Sequence, residues 1–494
     1  MSMISVTNLT FAYNGSYDNI FEDTTFQFDT AWKLGFIGRN GRGKTTFLNL
    51  LLGKHEYRGS IYSPVKFMYF PFEVNDICRK TRYIIADIVP NVIDWKIERE
   101  LSLLEVPPEV LDRDFETLSN GERTKILLAI LFLHDNCFLL IDEPTNHLDL
   151  KARDTVSRYL KRKEGFLLVS HDRAFLDSCV DHILSINRGG IEIQRGNFST
   201  WQKNREMQDN YDLTQNERLE KDIARLSAAA KRTAAWSDKT EKSKYNTRNS
   251  GSSVDRGYVG HKSAKMMKRA KNTQHRNERA AEEKAGLLRN IETAEPLALT
   301  TLKHYSPHLA ELDNVSVLYG NHIVCKPVSF CIENGMRLAI SGKNGSGKSS
   351  LLKLLCGENI SHTGQIRLAS GLIVSYVPQD TSHLAGSLRD YAETCGIAES
   401  LFKSILRKLD FSRTQFEKNI ADFSGGQKKK VLLARSLCEH AHLYVWDEPL
   451  NFVDVLSRVQ IENLILEYMP TMVFVEHDRA FSNAIATSRL NLNE

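Results

Sequence analysis

The sequence lacks a long uninterrupted apolar run. Its longest apolar stretch, residues 126–141, is broken by His134, Asp135 and Asn136, and it falls short of the roughly 20 apolar residues that a membrane-spanning helix needs. The first residues also lack the basic and then apolar pattern of a secretory signal. We therefore expect a cytoplasmic protein without a membrane segment.

Cysteine is scarce, and the net charge is small. The 8 cysteines among 494 residues form no Cys-x-x-Cys pair, which favours free thiols over disulfide bonds or a zinc site. The 65 basic and 61 acidic side chains leave a net charge of only +4. Because 41% of the residues are apolar and 26% are charged, the composition excludes a disordered or collagen-like chain.

Four short motifs occur twice, in the same order and with offsets of 304 to 306 residues. The pairs are residues 38–45 with 342–349, residues 119–122 with 424–427, Asp142-Glu143 with Asp447-Glu448, and His171 with His477. This spacing predicts a tandem duplication, with a first copy at 1–202 and a second at 305–494.

The first motif, Gly-x-x-x-x-Gly-Lys-Ser/Thr, indicates a phosphate-binding loop, because in each copy it lies between a predicted buried strand and a predicted helix. Glycine lets backbone N–H groups approach phosphates at a helix N-terminus. An unrelated glycine turn is the alternative, and the matched second copy argues against it. We expect Lys44 and Lys348 to reach the β- and γ-phosphates, and Thr45 and Ser349 to ligate Mg²⁺. The predicted ATP contacts in the two loops are Gly38, Arg39, Asn40, Gly41, Arg42, Gly43, Lys44, Thr45, Thr46, Gly342, Lys343, Asn344, Gly345, Ser346, Gly347, Lys348, Ser349 and Ser350.

Acidic residues follow an apolar strand in both copies. Asp142 and Asp447 are predicted to bind Mg²⁺, and the next residues, Glu143 and Glu448, are predicted to polarise the attacking water as catalytic bases. His171 and His477 each follow a further apolar strand. A single histidine is more often structural, but two in register predict catalytic sensors of the γ-phosphate.

The remaining repeated motif resembles the signature of ATP-binding-cassette (ABC) ATPases: Ser-Asn-Gly-Glu at 119–122 and Ser-Gly-Gly-Gln at 424–427. The resemblance implies two modules that enclose two ATP molecules, each held between one phosphate loop and the opposite signature. ATP and Mg²⁺ are then the cofactors, and Tyr13 and Tyr319 stack on adenine. The implied ATP contacts in the signatures are Ser119, Gly121, Glu122, Ser424, Gly425, Gly426 and Gln427.

The two copies differ at one implied metal ligand. Gln379, in Tyr-Val-Pro-Gln, matches the family's glutamine that contacts Mg²⁺, whereas the first copy has Phe72 in Tyr-Phe-Pro-Phe. Phenylalanine cannot ligate a metal. We expect both sites to bind ATP but to hydrolyse it at unequal rates.

The segment between the copies, 203–304, is basic. Residues 203–290 contain 21 lysine and arginine residues against 12 acidic residues. We expect a helical hairpin with its tip loop at about 237–260 and arms of roughly 30 residues, about 45 Å long. Basic and aromatic side chains near the tip predict RNA binding, against the alternative of a solvated spacer. The candidate RNA contacts are Lys242, Lys244, Tyr245, Arg248, Arg256, Tyr258, His261 and Lys262, with Tyr258 the preferred tip contact.

Fused ABC pairs with a helical linker resemble the ABC-F family, and Asn-His-Leu-Asp at 146–149 fits that family. The run 255–271 is similar to the linker of its Lsa/Vga-type ribosome-protection branch. The fold class implied is α/β, with two ABC-type P-loop ATPase domains joined by a long α-helical hairpin linker.

The same resemblance implies a function on the ribosome. The ATP-bound protein would occupy the tRNA exit site and insert its linker past the P-site tRNA toward the peptidyl transferase centre. Lincosamides, pleuromutilins and group A streptogramins would be displaced, and ATP hydrolysis would drive release. The implied partners are large-subunit rRNA and P-site tRNA, without membrane or DNA, and the two ATPase domains would pair within one monomer. The alternatives are a housekeeping ABC-F translation factor and, with less support, the ATPase subunit of a transporter.

Overall fold

The computed structural model describes residues 2–13, 19–72, 74, 76–90, 93–146, 148–187, 190–243, 268, 271–273, 275–277, 279–280, 297–319, 322–343 and 345–492. The chain forms two compact units. One unit comprises Met1–Trp201 together with Ala294–Glu494, and the other is Gln202–Thr293. Both copies of the repeat therefore belong to one compact unit.

The first copy alternates strands and helices, and a long helix follows it. Its elements are β1 (Met3–Phe11), β2 (Phe21–Asp29), β3 (Lys33–Gly38), α1 (Lys44–Leu51), β4 (Arg58–Tyr62), β5 (Lys66–Phe70), α2 (Thr81–Ile88), α3 (Asp94–Leu103), the 3-10 helices Pro108–Asp112 and Phe115–Thr117, α4 (Asn120–Leu131), β6 (Cys137–Asp142), α5 (Leu150–Lys161), β7 (Phe166–Val169), α6 (Arg173–Cys179), β8 (His182–Asn187), β9 (Gly190–Arg195) and α7 (Phe198–Ser243).

The second copy repeats this order. Its elements are β10 (His308–Tyr319), β11 (His322–Ile323), β12 (Val328–Glu333), β13 (Arg337–Ser341), α8 (Lys348–Leu355), β14 (His362–Leu368), β15 (Val374–Val377), α9 (Leu388–Thr394), α10 (Glu399–Lys408), the 3-10 helices Arg413–Glu417 and Ile420–Asp422, α11 (Gly425–Cys438), β16 (Leu443–Asp447), α12 (Val455–Tyr468), β17 (Met472–Val475), α13 (Arg479–Ile485) and β18 (Ser488–Asn491).

The main sheets of the two copies share the same order over five strands, and the first sheet has β9 as a sixth strand. In the first copy it is β5-β6-β7-β3-β8-β9, and in the second β15-β16-β17-β13-β18. All neighbouring pairs are parallel except β8 with β9. The central strands are apolar runs buried on both faces, as parallel strands covered by helices require. The α/β class and the duplication are therefore confirmed.

The carboxyl ends of these parallel strands meet at one edge of each sheet. In the first copy, β3 leads into the phosphate loop, β6 ends at Asp142, and β7 ends two residues before His171. In the register, Asp142 lies opposite Val169. Ligands of open α/β sheets bind at this edge, so the topology brings the predicted catalytic groups of each copy together.

The helix α7 extends farther than the sequence indicated. It runs over 46 residues from Phe198 to Ser243, so residues 237–243, expected in the tip loop, are helical. The segment 237–243 contains neither glycine nor proline to end the helix. Lys242 lies in its last turn, whereas the other candidate RNA contacts, Lys244, Tyr245, Arg248, Arg256, Tyr258, His261 and Lys262, lie outside the described residues. The domain boundaries drawn from the sequence remain predictions.

Among the described residues, no helix is both long enough and apolar enough to cross a lipid bilayer.

Candidate functional site

Each phosphate loop ends in a glycine that starts a helix. Gly43 and Gly347 precede α1 and α8 with φ of 96° and 84°, in the left-handed region that favours glycine. A Cβ on Gly43 would lie 2.5 Å from Cγ2 of Ile20. A side chain at position 43 would displace Ile20, which explains why this position is a glycine.

The loop lysines are buried and bond to their own loops. Nζ of Lys44 donates to the carbonyl oxygens of Gly38 at 2.6 Å and Arg39 at 3.3 Å. Nζ of Lys348 donates to the carbonyl oxygens of Gly342 at 2.9 Å and Lys343 at 2.8 Å. Burial lowers the pKa of both lysines, and nearby carboxylates oppose that shift. Each ammonium group is thus held inside the loop where the sequence predicts the phosphates.

The second copy has a donor set that fits Mg²⁺. Oδ1 of Asp447 is buried and accepts no hydrogen bond among the described residues, while the side chain of Ser349 bonds to the same carboxylate. Gln379 lines the same cleft. A magnesium ion at a phosphate site takes few protein oxygens, with phosphates and water completing its shell. Asp447, Ser349 and Gln379 would hold the ion here, where it would neutralise charge on the phosphates.

The corresponding aspartate of the first copy has a different neighbour. The hydroxyl of Tyr69 donates to Oδ2 of Asp142 at 3.0 Å, and Phe72 takes the place of Gln379. Asp142 therefore has one oxygen engaged by a phenol. Within the described part of the chain, no group of three or more histidine, cysteine or acidic residues forms a preassembled metal site.

In the second copy, three donors surround the predicted base Glu448. Its carboxylate lies 2.8 Å from Nε2 of Gln379, 2.5 Å from Nδ2 of Asn451 and 3.2 Å from Nε2 of His477. Burial raises the pKa of Glu448, but the bond and charge of His477 and the bond from Gln379 outweigh burial, so the pKa lies below its ordinary value. Glu448 is therefore ionised near neutral pH and able to accept a proton.

The equivalent base in the first copy, Glu143, has fewer hydrogen-bond donors around it among the described residues. Its Oε1 is buried and accepts no hydrogen bond from the described residues, and Nε2 of His171 lies 3.4 Å away. Burial first, and then the charge of Asp142, raise the pKa of Glu143 to about 8. Burial and the charge of Lys44 lower the pKa of His171 well below its usual value. The pKa shifts therefore favour the protonated form of Glu143 and the ionised form of Glu448.

Both signature motifs begin a helix through the same capping arrangement. The hydroxyl of Ser119 accepts from the backbone N–H of Glu122, whose side chain accepts from the N–H of Ser119. Ser424 and Gln427 form the same box at the start of α11. The Ser-x-x-Glu/Gln spacing favours this reciprocal cap, which fixes the residue at which each signature helix begins.

The signature of the first copy faces the phosphate loop of the second. One cleft of about 930 Å³ is lined by both segments and by the catalytic candidates of the second copy. Its relevant residues are Ser119, Gly121, Glu122, Gly345, Gly347, Lys348, Ser349, Gln379, Glu448 and His477. The positive end of a helix and a phosphate loop thus border the same space, which suits a polyphosphate.

The opposite pairing is also present. Nδ2 of Asn40, in the first phosphate loop, donates to the carbonyl oxygen of Phe452 in the second copy at 2.8 Å. A Cβ on Gly426 of the second signature would lie 3.0 Å from the same Nδ2 and 2.3 Å from the Phe452 oxygen. Gly426 therefore permits the close approach between the first loop and the second signature.

Tyr13 and Tyr319 occupy equivalent positions. The hydroxyl of Tyr13 lies 2.9 Å from Oγ1 of Thr46, and that of Tyr319 lies 3.1 Å from Oγ of Ser350. Both rings are exposed, at 44% and 55%. Each bond fixes an accessible ring beside its own phosphate loop, an arrangement compatible with the predicted stacking on adenine.

The remaining predicted loop residues lie where the motif requires. Thr45 directly follows Lys44 in α1, and Ser349 directly follows Lys348 in α8. Asn344 lies outside the described residues. Their individual roles toward ATP and Mg²⁺ remain predictions.

Sequence reasoning missed two equivalent arginines, of which Arg153 contacts the other copy. Nη1 of Arg153 donates to Asp172 at 2.9 Å and to the carbonyl oxygen of His477 at 3.4 Å. Nη1 of Arg458 donates to Asp478 at 3.2 Å. The two arginines recur with an offset of 305 residues, and that recurrence is the signal that would have found them.

A family model described as ABC transporter matches residues 21–146 and 325–451, together about half of the chain. The chain belongs to the ABC transporter family. Membership explains the paired phosphate loops and signatures, and it makes the chain an ATPase whose two ABC domains bind ATP, generally with Mg²⁺. The predicted fold class and enzymatic activity are thereby confirmed.

Relatives match this ABC ATPase over nearly its whole length. "Ribosome protection protein VmlR" of Bacillus subtilis is 29% identical over 99% of this chain and 86% of its own length. "Energy-dependent translational throttle protein EttA" of Haemophilus influenzae is 25% identical over 96% of this chain and 89% of its own length. These similarities support the expected ABC-F family for this ATPase.

A solved structure has the same tandem ABC architecture. It is the archaeal ribosome recycling factor in complex with the ribosomal stalk protein aP1, with a TM-score of 0.62 and 19% identity, over 98% of this chain and 87% of that one. At this identity the likeness concerns the fold alone.

Proposed function

We propose that this ABC-F ATPase is a cytoplasmic ribosome-protection protein. In its ATP-bound form it binds the tRNA exit site and extends its linker past the P-site tRNA toward the peptidyl transferase centre. Lincosamides, pleuromutilins and group A streptogramins are displaced there, and ATP hydrolysis drives release. The observation that carries the proposal is similarity to a ribosome protection protein over 99% of the chain.

The composite cleft supports ATP control of binding. Ser119 and Lys348 come from different copies and line one cleft, so a nucleotide between them binds best when the copies are closed together. ATP shifts the equilibrium toward the closed form only by its differential affinity for that form. Hydrolysis, with Glu448 as the ionised base, removes that preference and lets the copies separate.

The linker composition supports an RNA partner. Residues 231–271 contain 12 basic and 3 acidic residues together with Trp236, Tyr245 and Tyr258. Lysine and arginine bind phosphates, and aromatic rings stack on unpaired bases. The helix α7 alone has 46 residues, about 70 Å at 1.5 Å per residue. In this proposal the drugs leave because the inserted tip shifts rRNA and tRNA.

Trapping on the ribosome tests the ATP-dependent step. We expect the Glu143→Gln, Glu448→Gln double variant to co-sediment with 70S ribosomes in ATP. The Lys44→Ala, Lys348→Ala control, which lacks both phosphate-binding ammonium groups, should not. Because phosphate contacts release counterions, co-sedimentation should weaken steeply between about 50 and 200 mM salt. Equal binding of the two variants would remove ATP control from the proposal.

Measurements of drug protection test whether the linker displaces the three drug classes. We expect expression in a susceptible strain to raise the minimum inhibitory concentrations of the three drug classes, and Tyr258→Ala to lower that protection without loss of ribosome binding. Full protection by Tyr258→Ala would exclude this side chain from the mechanism. A cryo-EM reconstruction of the trapped complex would report the binding site, the tRNA state and the tip contacts together.

A housekeeping ABC-F translation factor is the second candidate, and the similarity to a translational throttle protein over 96% of the chain favours it. Ribosome trapping together with unchanged inhibitory concentrations would support this candidate over drug protection. An ATPase subunit of a transporter would instead fail to co-sediment with ribosomes at any salt concentration.

A further inference from the structure

A carboxylate of the second copy lies against the first phosphate loop. Oδ1 of Asp410 is 3.4 Å from Nη1 of Arg39 and 3.6 Å from Nη2 of Arg42. The three side chains are 17%, 12% and 29% exposed. The two guanidinium groups of the loop are therefore turned across the interface between the copies, and the ion pairs are partly shielded from water.

The backbone at Asp410 is unusual for an acidic residue. Asp410 follows α10 with φ of 68°, and its N–H donates to the carbonyl oxygen of Arg407 at 2.9 Å. Glycine or asparagine normally occupies this left-handed position after a helix. The equivalent residue of the first copy, Glu105, also has a positive φ, 54°. Both copies thus keep an acid where glycine would be less strained, which points to a use for the side chain.

The two loops differ in the residues at these positions. The residues equivalent to Arg39 and Arg42 in the second loop are Lys343 and Ser346, so one cation is replaced by a hydroxyl. Glu105 lines the second cleft, but its Oε1 accepts from Nη2 of Arg158 of its own copy at 2.8 Å.

The second copy has no arginine to compete for Asp410 in the same way. Asn463 stands at the position equivalent to Arg158. The first loop is also held by the bond from Asn40 to the Phe452 oxygen. The first loop is therefore held across the interface at two places, by Asp410 and by the carbonyl oxygen of Phe452.

We propose that Asp410 is a positioning residue of the first ATP site, which holds Arg39 and Arg42 so that the loop 38–45 stays against the signature 424–427 and releases nucleotide more slowly than the second site does. This inference rests on the proposed pairing of each loop with the opposite signature. Asp410 acts through the two arginines, whose side chains it holds across the interface.

The test uses the full chain carrying Glu143→Gln and Glu448→Gln, so that nucleotide is not hydrolysed. The protein is loaded with fluorescent N-methylanthraniloyl-ATP, chased with excess ATP, and followed by stopped-flow. Lys44→Ala and Lys348→Ala, added singly, assign one release phase to each site. If neither variant removes a phase, the assignment of the two ATP sites is wrong, independently of Asp410.

With the phases assigned, Asp410→Asn should accelerate release from the first site by roughly 2- to 5-fold, as expected for an ion pair that is not fully buried, and leave the second phase unchanged. Asp410→Glu should restore slow release, and Arg42→Ser should add little to Asp410→Asn. Glu105→Gln is the matched control and should leave the first phase unchanged. An unchanged or slower first phase in Asp410→Asn, with intact thermal stability, would overturn the inference, because the freed arginines would then bind phosphate instead.

Discussion

Arg173 of the first copy donates a hydrogen bond to Glu462 of the second, with Nη2 and Oε2 2.5 Å apart. Both side chains are mostly buried, at 10% and 15% exposure. The equivalent arginine of the second copy, Arg479, donates to Asp154 at 2.7 Å, but there both side chains are about half exposed. Each copy therefore contributes an arginine that contacts the other copy, and the Arg173 contact is better shielded from solvent than the Arg479 contact.

This inequality predicts unequal effects on stability. Arg173→Ala should lower the free energy of unfolding by about 2 to 3 kcal/mol, since it leaves a poorly hydrated carboxylate without its partner. Arg479→Ala should cost less than about 1 kcal/mol, as exposed pairs do. Chemical denaturation of both variants measures the difference. Equal losses would mean that burial does not distinguish the two contacts.

The two predicted bases should contribute unequally to ATP hydrolysis. Glu448→Gln should lower the steady-state ATPase rate by about 100- to 10,000-fold at the second site, the range expected on removing a general base. Glu143→Gln should have a smaller effect at pH 7, because burial already raises the pKa of Glu143 to about 8. Rates of the two single variants, with ATP binding checked separately, decide this. A larger effect of Glu143→Gln would reverse the assignment of the faster site.

Substitutions that exchange the residue types at positions 72 and 379 should change the ATPase rates of the two sites in opposite directions. Gln379→Phe removes the donor 2.8 Å from Glu448, so the ATPase rate of the second site should fall. Phe72→Gln supplies the missing amide to the first site. In a Glu448→Gln background it should raise the residual rate several-fold. If Phe72→Gln leaves that rate unchanged, the Tyr69 bond to Asp142, and not the missing amide, limits the first site.

A buried ion pair below the second signature predicts a stability difference between the copies. Nζ of Lys430 lies 2.7 Å from Oδ2 of Asp454, with side-chain exposures of 4% and 0%. Lys430→Met should cost about 3 to 5 kcal/mol, because a buried charge loses its partner. The equivalent Lys125 of the first copy is half-buried, and Lys125→Met is the matched control with a smaller expected loss.

The same pair has a defined pH dependence. Burial raises the pKa of Asp454, but Lys430 outweighs burial and holds it well below the ordinary value. A depressed carboxylate pKa stabilises the fold above the unfolded-state pKa, about 4 for aspartate, and the contribution is lost as the pH falls below it. Wild type and Lys430→Met should therefore converge in stability under acid, as denaturation across a pH series would measure. A constant gap would assign the effect of Lys430 to packing.

Local motifs allowed much of the site to be predicted from the sequence. The duplication is visible as motifs repeated at a constant offset. The glycines before Lys44 and Lys348 belong to a short motif, and comparison of the two copies shows Phe72 in place of Gln379. The strand before each loop is an apolar run and the segment after it has helical character, so the placement of each loop between a strand and a helix also followed from the sequence.

Contacts between distant residues could not be predicted in the same way. Asp410 and Arg42 are separated by 368 residues, and no motif surrounds Asp410. The pKa difference between Glu143 and Glu448 depends on burial and on the hydrogen bonds from His477 and Gln379, and the sequence does not show how these groups are placed in space. The helical conformation of residues 237–243 was missed because turn-forming residues farther along, from Asn246 onward, placed the start of the predicted loop too early.

Glu143 and Glu448 share a backbone conformation that most side chains avoid, with φ of 48° and 47°. Their N–H groups donate to the carbonyl oxygens of Val169 and Val475, two residues before His171 and His477. A left-handed non-glycine residue costs roughly 1 to 2 kcal/mol, so the tandem chain has retained this burden twice. The glutamate and the histidine of each copy are therefore anchored to the same strand end, so that a displacement of that strand end moves both groups together.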